Sequence, residues 1–369
     1  MASTWPIKFV HLLVASLLLF GMGAARAEDS SNAPRVGVFY FPGWKDDALG
    51  LAYPKPWEKI KPFPERMPLL GWYDEGQPEV MATQLRWMRE YGISYVVFDW
   101  YWSKDKPLLN HALEAYLRIP GPKPDFALMW ANHDSGPRSK EEFASMMRYV
   151  SDHYLTSSDY LRVSGRPAFF IQLGSALERK ARAIGSSTDE LLSDAQSYVT
   201  RTGGESIFFI AGAGPGFADT VGRKLGYSAY FAYNYHSGPD GTVAGEKRHT
   251  HSYKELDSAY RQTWQWFIAH SDLPYIVPTT SGWDKRPWGG SRDPLHDNSI
   301  GTPEEFSTHL AAARRVLADN PRNTIDLILT CCWNEYGEGS IVEPTSGAEF
   351  SYLKAIQSTL GTNKNNTNK

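Results

Sequence analysis

The chain has 369 residues, a formal net charge of −3 and only two cysteines. The near-neutral balance excludes the basic footprint of a nucleic-acid or anionic-lipid binder, and the cysteine count excludes a disulfide-stapled scaffold. Aromatic residues make up 14% of the chain, with 13 Trp, so either a large core or a set of flat stacking surfaces must use them.

Lys8 precedes an apolar run from Phe9 to Phe20, and Ala25-Arg26-Ala27 stands before polar Glu28-Asp29-Ser30. This pattern predicts a cleaved signal peptide over 1–27 and hence a secreted or periplasmic protein, with a retained signal anchor as the competing reading. No later segment reaches the ~20 apolar residues of a membrane span, so no membrane contact is expected after cleavage. One domain is expected over 28–362, followed by a polar, disordered tail over 363–369 that contains the Asn365-Asn366-Thr367 sequon.

Short apolar runs alternate with helical patterns along that domain. Strands are predicted at 36–41, 95–100, 126–130, 168–172, 207–211, 229–233, 275–278 and 325–330. Helices are predicted at 78–91, 108–117, 140–153, 188–200, 217–225, 253–270, 303–318 and 348–360. In the first of these, Pro78 suits the opening turn, Met81, Leu85 and Met88 make an apolar stripe, and Gly92 supplies the stop. Runs such as Tyr95-Val96-Val97-Phe98 imply burial on both faces, as in a parallel sheet, and no hairpin signal separates consecutive runs. The pattern predicts a single (β/α)₈ TIM-type barrel. An open doubly wound sheet would carry a Gly-rich loop after its first strand, where Pro42-Gly43-Trp44 stands instead. The Pro-rich stretch 45–76 reads as an insertion over one barrel face. Cys331 and Cys332 are neighbours on the last strand, where alternation sends their side chains to opposite faces, so no bridge is expected.

In an α/β barrel, chemistry collects at the C-terminal ends of the strands. Those ends carry Tyr40, then Asp99-Trp100-Tyr101-Trp102, then Asn132-His133-Asp134, then Tyr233-Asn234-Tyr235-His236. The seventh strand leads to Trp283-Asp284, and the eighth to Trp333-Asn334-Glu335-Tyr336-Gly337-Glu338-Gly339. Rings beside amides and acids are what a sugar needs: flat faces for its C–H groups and planar polar groups for its hydroxyls. Tyr40, Asp99, Trp100, Tyr101, Trp102, Asn132, His133, Tyr233, Asn234, Tyr235, Trp283, Asp284, Trp333 and Asn334 are therefore the expected substrate contacts. The expected partner is an oligo- or polysaccharide. Asp99 could equally cap the following helix, and His133 and His236 read better as hydrogen-bonding residues than as metal ligands. No metal-ligand spacing and no cofactor motif is present, and no Gly-x-Ser-x-Gly elbow surrounds Ser175.

Two acids on a turn framed by Trp333 and Tyr336 suggest a glycosidase, with Glu335 and Glu338 as its catalytic pair. The segment Trp333-Asn334-Glu335-Tyr336-Gly337-Glu338-Gly339, with Glu343-Pro344 downstream, resembles the Trp-Asn-Glu-Trp-x-Glu-Gly…Glu-Pro signature of family 99 endo-α-mannosidases and the WbsX-like proteins related to them. Gly71-Trp72-Tyr73-Asp74, Gln84-Leu85-Arg86-Trp87-Met88 and Phe98-Asp99-Trp100-Tyr101-Trp102 resemble the WbsX-like pattern. Tyr336 replaces the usual Trp, and Gly337 stands where the mannosidases often have His. The resemblance implies a retaining endo-glycosidase on an α-linked, mannoside-like glycan. In it, Glu335 would deprotonate the sugar 2-hydroxyl for attack on C1, and Glu338 would protonate the leaving oxygen and later activate water. It also leaves open a polysaccharide-processing or sugar-transfer role, and a barrel that only binds carbohydrate is the alternative outside enzymes.

Overall fold

The computed structural model describes Met1 and residues 33–50, 53–133, 136–218 and 222–361. The expected signal peptide, Asp134 and the expected tail with its sequon lie outside these residues, Met1 apart.

Eight parallel strands close into a barrel: β1 (Arg35–Tyr40), β2 (Tyr95–Ser103), β3 (Asp125–Trp130), β4 (Arg166–Ile171), β5 (Phe208–Gly212), β6 (Ala229–Phe231), β7 (Tyr275–Thr280) and β8 (Thr324–Cys331). Each pairs with the next, and β8 returns to β1 with Arg35 opposite Leu327 and Val38 opposite Thr330. The expected (β/α)₈ barrel is the observed fold. Around it run helices α1 (Pro78–Glu90), α2 (His111–Arg118), α3 (Lys140–Val150), α4 (Gly174–Ala183), α5 (Thr188–Arg201), α6 (Pro215–Ala218), α7 (Tyr253–His270), α8 (Pro303–Asp319) and α9 (Ser351–Leu360). Helix α8 starts on a reciprocal capping box between Thr302 and Glu305, which satisfies two orphan N–H groups of its first turn.

Strand alternation sorts the core into two layers. Phe39, Val97, Met129, Phe170, Ile210, Phe231, Ile276 and Leu329 fill the barrel interior. Their sequence neighbours, among them Val38, Val96, Phe98, Leu128, Phe169, Val277 and Ile328, pack outward against the helices. Gly37 leaves room for the Tyr95 ring, since a Cβ there would lie 2.1 Å from it, and the Tyr95 hydroxyl crosses to donate to the carbonyl of Ile328 at 2.8 Å.

Several local expectations need correction. Strand β2 runs on to Ser103 and folds back on Lys106–Leu108 in antiparallel pairing, so α2 starts later than predicted. A second antiparallel addition joins Arg162–Val163 to β4. Helix α4 was not predicted: its Gly-Ser start and charged run Glu178–Arg182 leave only a thin apolar stripe of Ala176, Leu177 and Ala181. Of the helix expected over 217–225, residues 217–218 lie in short α6 and Arg223–Leu225 in a tight turn, and residues 219–221 lie outside the described residues. Finally, Cys331 and Cys332 are bonded to each other through their sulfurs; the peptide between them is cis, so the alternation of a trans-linked strand does not apply.

The insertion over 45–76 folds onto the C-terminal mouth of the barrel through two tight turns, Pro56–Lys59 and Pro64–Arg66. There Trp44, Trp57, Ile60 and Tyr73 form a separate apolar cluster with Tyr336 and Ile341.

Candidate active site at the mouth of the barrel

Past β8 the chain makes a small hairpin in which Asn334–Glu335 pairs with Ser340–Ile341. Two glycines make this turn possible. Gly339 has φ +77, and a Cβ on Gly337 would lie 1.7 Å from the Trp288 indole nitrogen. The turn is braced from every side. Trp44 donates its indole N–H to the Asn334 carbonyl at 2.9 Å, Arg66 donates to the Tyr336 carbonyl at 2.9 Å, and the Asp284 N–H donates to the Glu338 carbonyl at 2.7 Å. Such support fixes the two carboxylates before any substrate arrives.

Glu335 and Glu338 reach into a cleft of about 960 Å³ at the C-terminal face. Glu335 is buried and Glu338 half-buried. The Tyr233 hydroxyl lies 3.0 Å from Glu335 Oε1 and also 3.0 Å from Asp99 Oδ2. A phenol has one proton, so it donates to one carboxyl and must accept from the other. The other oxygen of Asp99 is buried with no partner, which an ionised carboxylate tolerates poorly. The consistent arrangement is a protonated Asp99 donating to Tyr233, and Tyr233 donating to an ionised Glu335. Burial drives the Asp99 carboxyl well above the usual carboxylate range. Burial, then the charges of Glu338 and Asp99, raises Glu335, while the Tyr233 hydrogen bond pulls it down. Glu338 is pushed up to about 7 by burial and is held back by the nearby Lys285 charge. Close carboxyls with unequal environments divide into an acid and a base.

Of the expected contacts, Asp99, Tyr101, His133, Tyr233, Asn234, Tyr235 and Trp283 line the cleft with the two glutamates. The others do not. Tyr40 points outward and donates to Gln84 at 2.8 Å, and Trp100 and Trp102 stack on each other in the layer between barrel and helices. All three lie one residue out of phase with the inward-facing Phe39, Val97, Asp99 and Tyr101. Trp333 is likewise buried against the outer layer. Asn132 and Asn334 act as peptide mimics, each both donating to and accepting from one backbone unit, at Leu173 and Phe41 respectively. Asp284 is buried and committed to Arg66 and Arg286, so it braces the loop after β7.

The cleft also uses residues outside the expected substrate contacts: Phe41, Tyr53, Gln172, Ser175, His236, Lys285 and Trp288. Phe41 and Gln172 continue the inward parity of Phe39 and Phe170, so alternation could have found them. His236 has a defined tautomer. His296 Nδ1 lies 2.9 Å from the Thr250 carbonyl and so carries a hydrogen; its Nε2 then accepts from His236 Nδ1 at 2.9 Å. His236 Nε2 is left as an acceptor, and burial lowers this imidazole to about 3, keeping it neutral.

One group of ligand-type atoms was found among the described residues: Asp74, Glu75 and His111, all within 4.8 Å. Glu75 there accepts the Trp44 N–H at 2.8 Å and contacts His111 Nε2 at 2.9 Å, which ties the loop after β1 to α2. These residues are not part of the cleft lining.

Comparison with known proteins adds the following. The chain is 23% identical over 320 residues to the uncharacterized protein WxcX of Xanthomonas campestris, a match that takes in 79% of this chain and 42% of that protein, so it spans under half the length of that relative. An endo-α-mannosidase of glycoside hydrolase family 99 from Bacteroides thetaiotaomicron superposes with a TM-score of 0.61 at 14% identity, covering 88% of this chain and 95% of that one. A glycoside hydrolase-like protein superposes with a TM-score of 0.63 at 14% identity, covering 89% and 94%. At these identities the superpositions establish the fold. The sequence profile described as glycosyltransferase WbsX matches residues 63–356, from the insertion through to α9. The chain therefore belongs to the WbsX family.

Proposed function

We propose that this barrel processes glycans, and specifically that it is an exported, retaining endo-glycoside hydrolase acting on an α-linked, mannoside-like substrate. The observation that carries the reading is the placement of Glu335 and Glu338 on one braced turn inside the cleft, with Asp99 sharing a proton with Glu335 through Tyr233. Acids three residues apart cannot flank a sugar from opposite walls, which disfavours the usual two-wall arrangement. They can serve a substrate that supplies its own nucleophile.

Ionised Glu335 accepts the 2-hydroxyl proton while that oxygen bonds to C1. The C1–leaving-oxygen bond breaks, and the leaving oxygen takes the proton of Glu338. The product of this step is a 1,2-anhydro sugar and a Glu338 carboxylate. Glu338 then takes a proton from water as the water oxygen attacks C1. The C1–O2 bond opens, and Glu335 returns its proton to O2. Two inversions give net retention. General acid–base assistance of this kind contributes about 10²–10⁴-fold per group.

A sugar hydroxyl in place of water would turn the second step into glycosyl transfer, the activity in the family's description. Digestion of a glycan panel followed by mass spectrometry, with Glu338→Gln as control, separates the outcomes. New reducing ends in the retained anomer, seen by proton NMR, support hydrolysis, and lengthened products indicate transfer. An inverted anomer rules out the proposed steps. Binding without any product marks a non-catalytic carbohydrate-binding barrel.

A further inference from the structure

The loop after β7 places two side chains on the cleft wall that the steps above do not use, Lys285 and Trp288. The loop is rigidly held. Asp284 is bound by Arg66 and Arg286, and Asp297 accepts the backbone N–H groups of Lys285 and Ser291, both at 2.9 Å. Trp283 also donates its indole N–H to the Ser291 hydroxyl at 3.0 Å. Every nearby acid on this loop is thereby committed elsewhere. Lys285 is half-buried, and among the described residues no carboxylate lies within 4.0 Å of its ammonium.

Lys285 is also the cleft's one Lys or Arg among the described lining residues, and His236 beside it is neutral. The Lys285 charge reaches Glu338 through space and lowers that carboxyl, but no ion pair joins the two, so the ammonium can still pair with a carboxylate that enters the cleft. On the same loop, the Trp288 indole rests against the backbone at Gly337, between the two glutamates, and is backed by Trp44 in a parallel stack at 5.9 Å. It thus offers a fixed aromatic group one residue from the acid–base pair, with Tyr53 packed against it at 4.6 Å. The acids of the cleft do not oppose an incoming anion as strongly as their number suggests, because Asp99 shares its proton with Tyr233.

We infer that Lys285 and Trp288 form a subsite for a sugar ring bearing a carboxylate, the ring lying on the indole and the carboxylate meeting the ammonium. This rests on the glycan reading above and narrows it to acidic glycans. The test uses Glu338→Gln protein, so that binding is measured without turnover. The probes are an α-mannan oligosaccharide fraction and the same fraction after oxidation of its primary hydroxyls to carboxylates. Calorimetry should show the carboxylated fraction binding about tenfold more tightly, with the preference shrinking as salt is raised. In that background Lys285→Gln should erase the preference and leave neutral binding unchanged, Lys285→Arg should keep most of it, and Trp288→Ala should weaken both probes alike. Equal binding of the two fractions, or a preference that survives Lys285→Gln, overturns the subsite and leaves the glycan reading intact. Binding of neither fraction overturns both.

Discussion

Glu343 and the pair Glu335–Glu338 leave the same end of β8, yet their surroundings are opposite in kind. Glu343 is fully enclosed, and both of its carboxyl oxygens are hydrogen-bonded. It accepts from Tyr73 at 2.7 Å, from Gln84 at 2.8 Å and from Tyr336 at 2.8 Å, and Tyr40 supports Gln84 from behind. Among the described residues Glu335 accepts a side-chain hydrogen bond from Tyr233 alone and none answers Glu338, and both face a cleft. Three acids on one motif look alike in a sequence, and satisfaction separates them. The answered carboxyl ties the insertion, α1 and the hairpin together, whereas Glu335, held by Tyr233 alone among the described residues, and Glu338 face the cleft where the proposed proton transfers would occur.

The largest effect that would break this division is on turnover. Glu335→Gln and Glu338→Gln should each lower kcat by about 10²–10⁴-fold while the melting temperature stays near that of the parent, measured by reducing-end release and calorimetry. Near-normal hydrolysis by either variant would end the assignment. Glu343 should respond in the reverse sense. Glu343→Ala strands three buried donors and should cost roughly 3 kcal/mol or more of stability, read in a denaturant titration, whereas any activity loss should follow unfolding. Burial raises the Glu343 carboxyl from 4.5 to about 7. A carboxyl raised on folding contributes stability that is complete below about 4.5 and fades as pH climbs through about 7. Stability of the parent should therefore decline over that window, and Glu343→Gln should flatten the decline.

The same contrast shows what could be read from residues alone. The eight strands were legible because each is a run buried on both faces, and α7 was legible to its bounds because Ser252 caps a long amphipathic stripe. Parity was the neglected signal at the site. Asp99 and Tyr101 share the inward phase of Val97, and Trp100 and Trp102 share the outward phase of Phe98, so chemical identity pointed to sugar contacts where alternation pointed to core. Tyr53 and Trp288 carry no local signal, since they reach the cleft from irregular loops held by distant partners. Glu335 was set apart from Glu343 by its turn and by the family resemblance, and the bracing role of Glu343 carried no sequence signal, because it depends on Tyr73 and Gln84, both remote in sequence.

The proton-sharing bridge gives a smaller, sharper test. Tyr233→Phe removes the hydroxyl that stabilises ionised Glu335, and with it the hydrogen-bond partner of Asp99, whose carboxyl burial keeps raised. Loss of roughly tenfold in kcat/KM is expected, about 1.4 kcal/mol. Its diagnostic is the pH profile. The hydrogen bond lowers the Glu335 carboxyl, so its loss must raise it, and the acidic limb of kcat/KM should move to higher pH. A uniform fall with an unmoved limb would make Tyr233 a packing residue only.

The smallest effect concerns the basic limb. The proposed acid, Glu338, works only while protonated, and burial pushes its carboxyl up to about 7, so kcat/KM should fall as pH rises through that value. Burial sets this position, and the Lys285 charge opposes it. In Lys285→Gln the opposition is gone, so Glu338 should keep its proton to higher pH and the basic limb should shift upward. The sign is informative because two explanations of Lys285 differ on it. A lysine that served only to hold the loop would change the height of the profile and leave the limb in place. A charge that acts through space on Glu338 moves the limb on a neutral substrate, where no ion pair with the ligand can contribute.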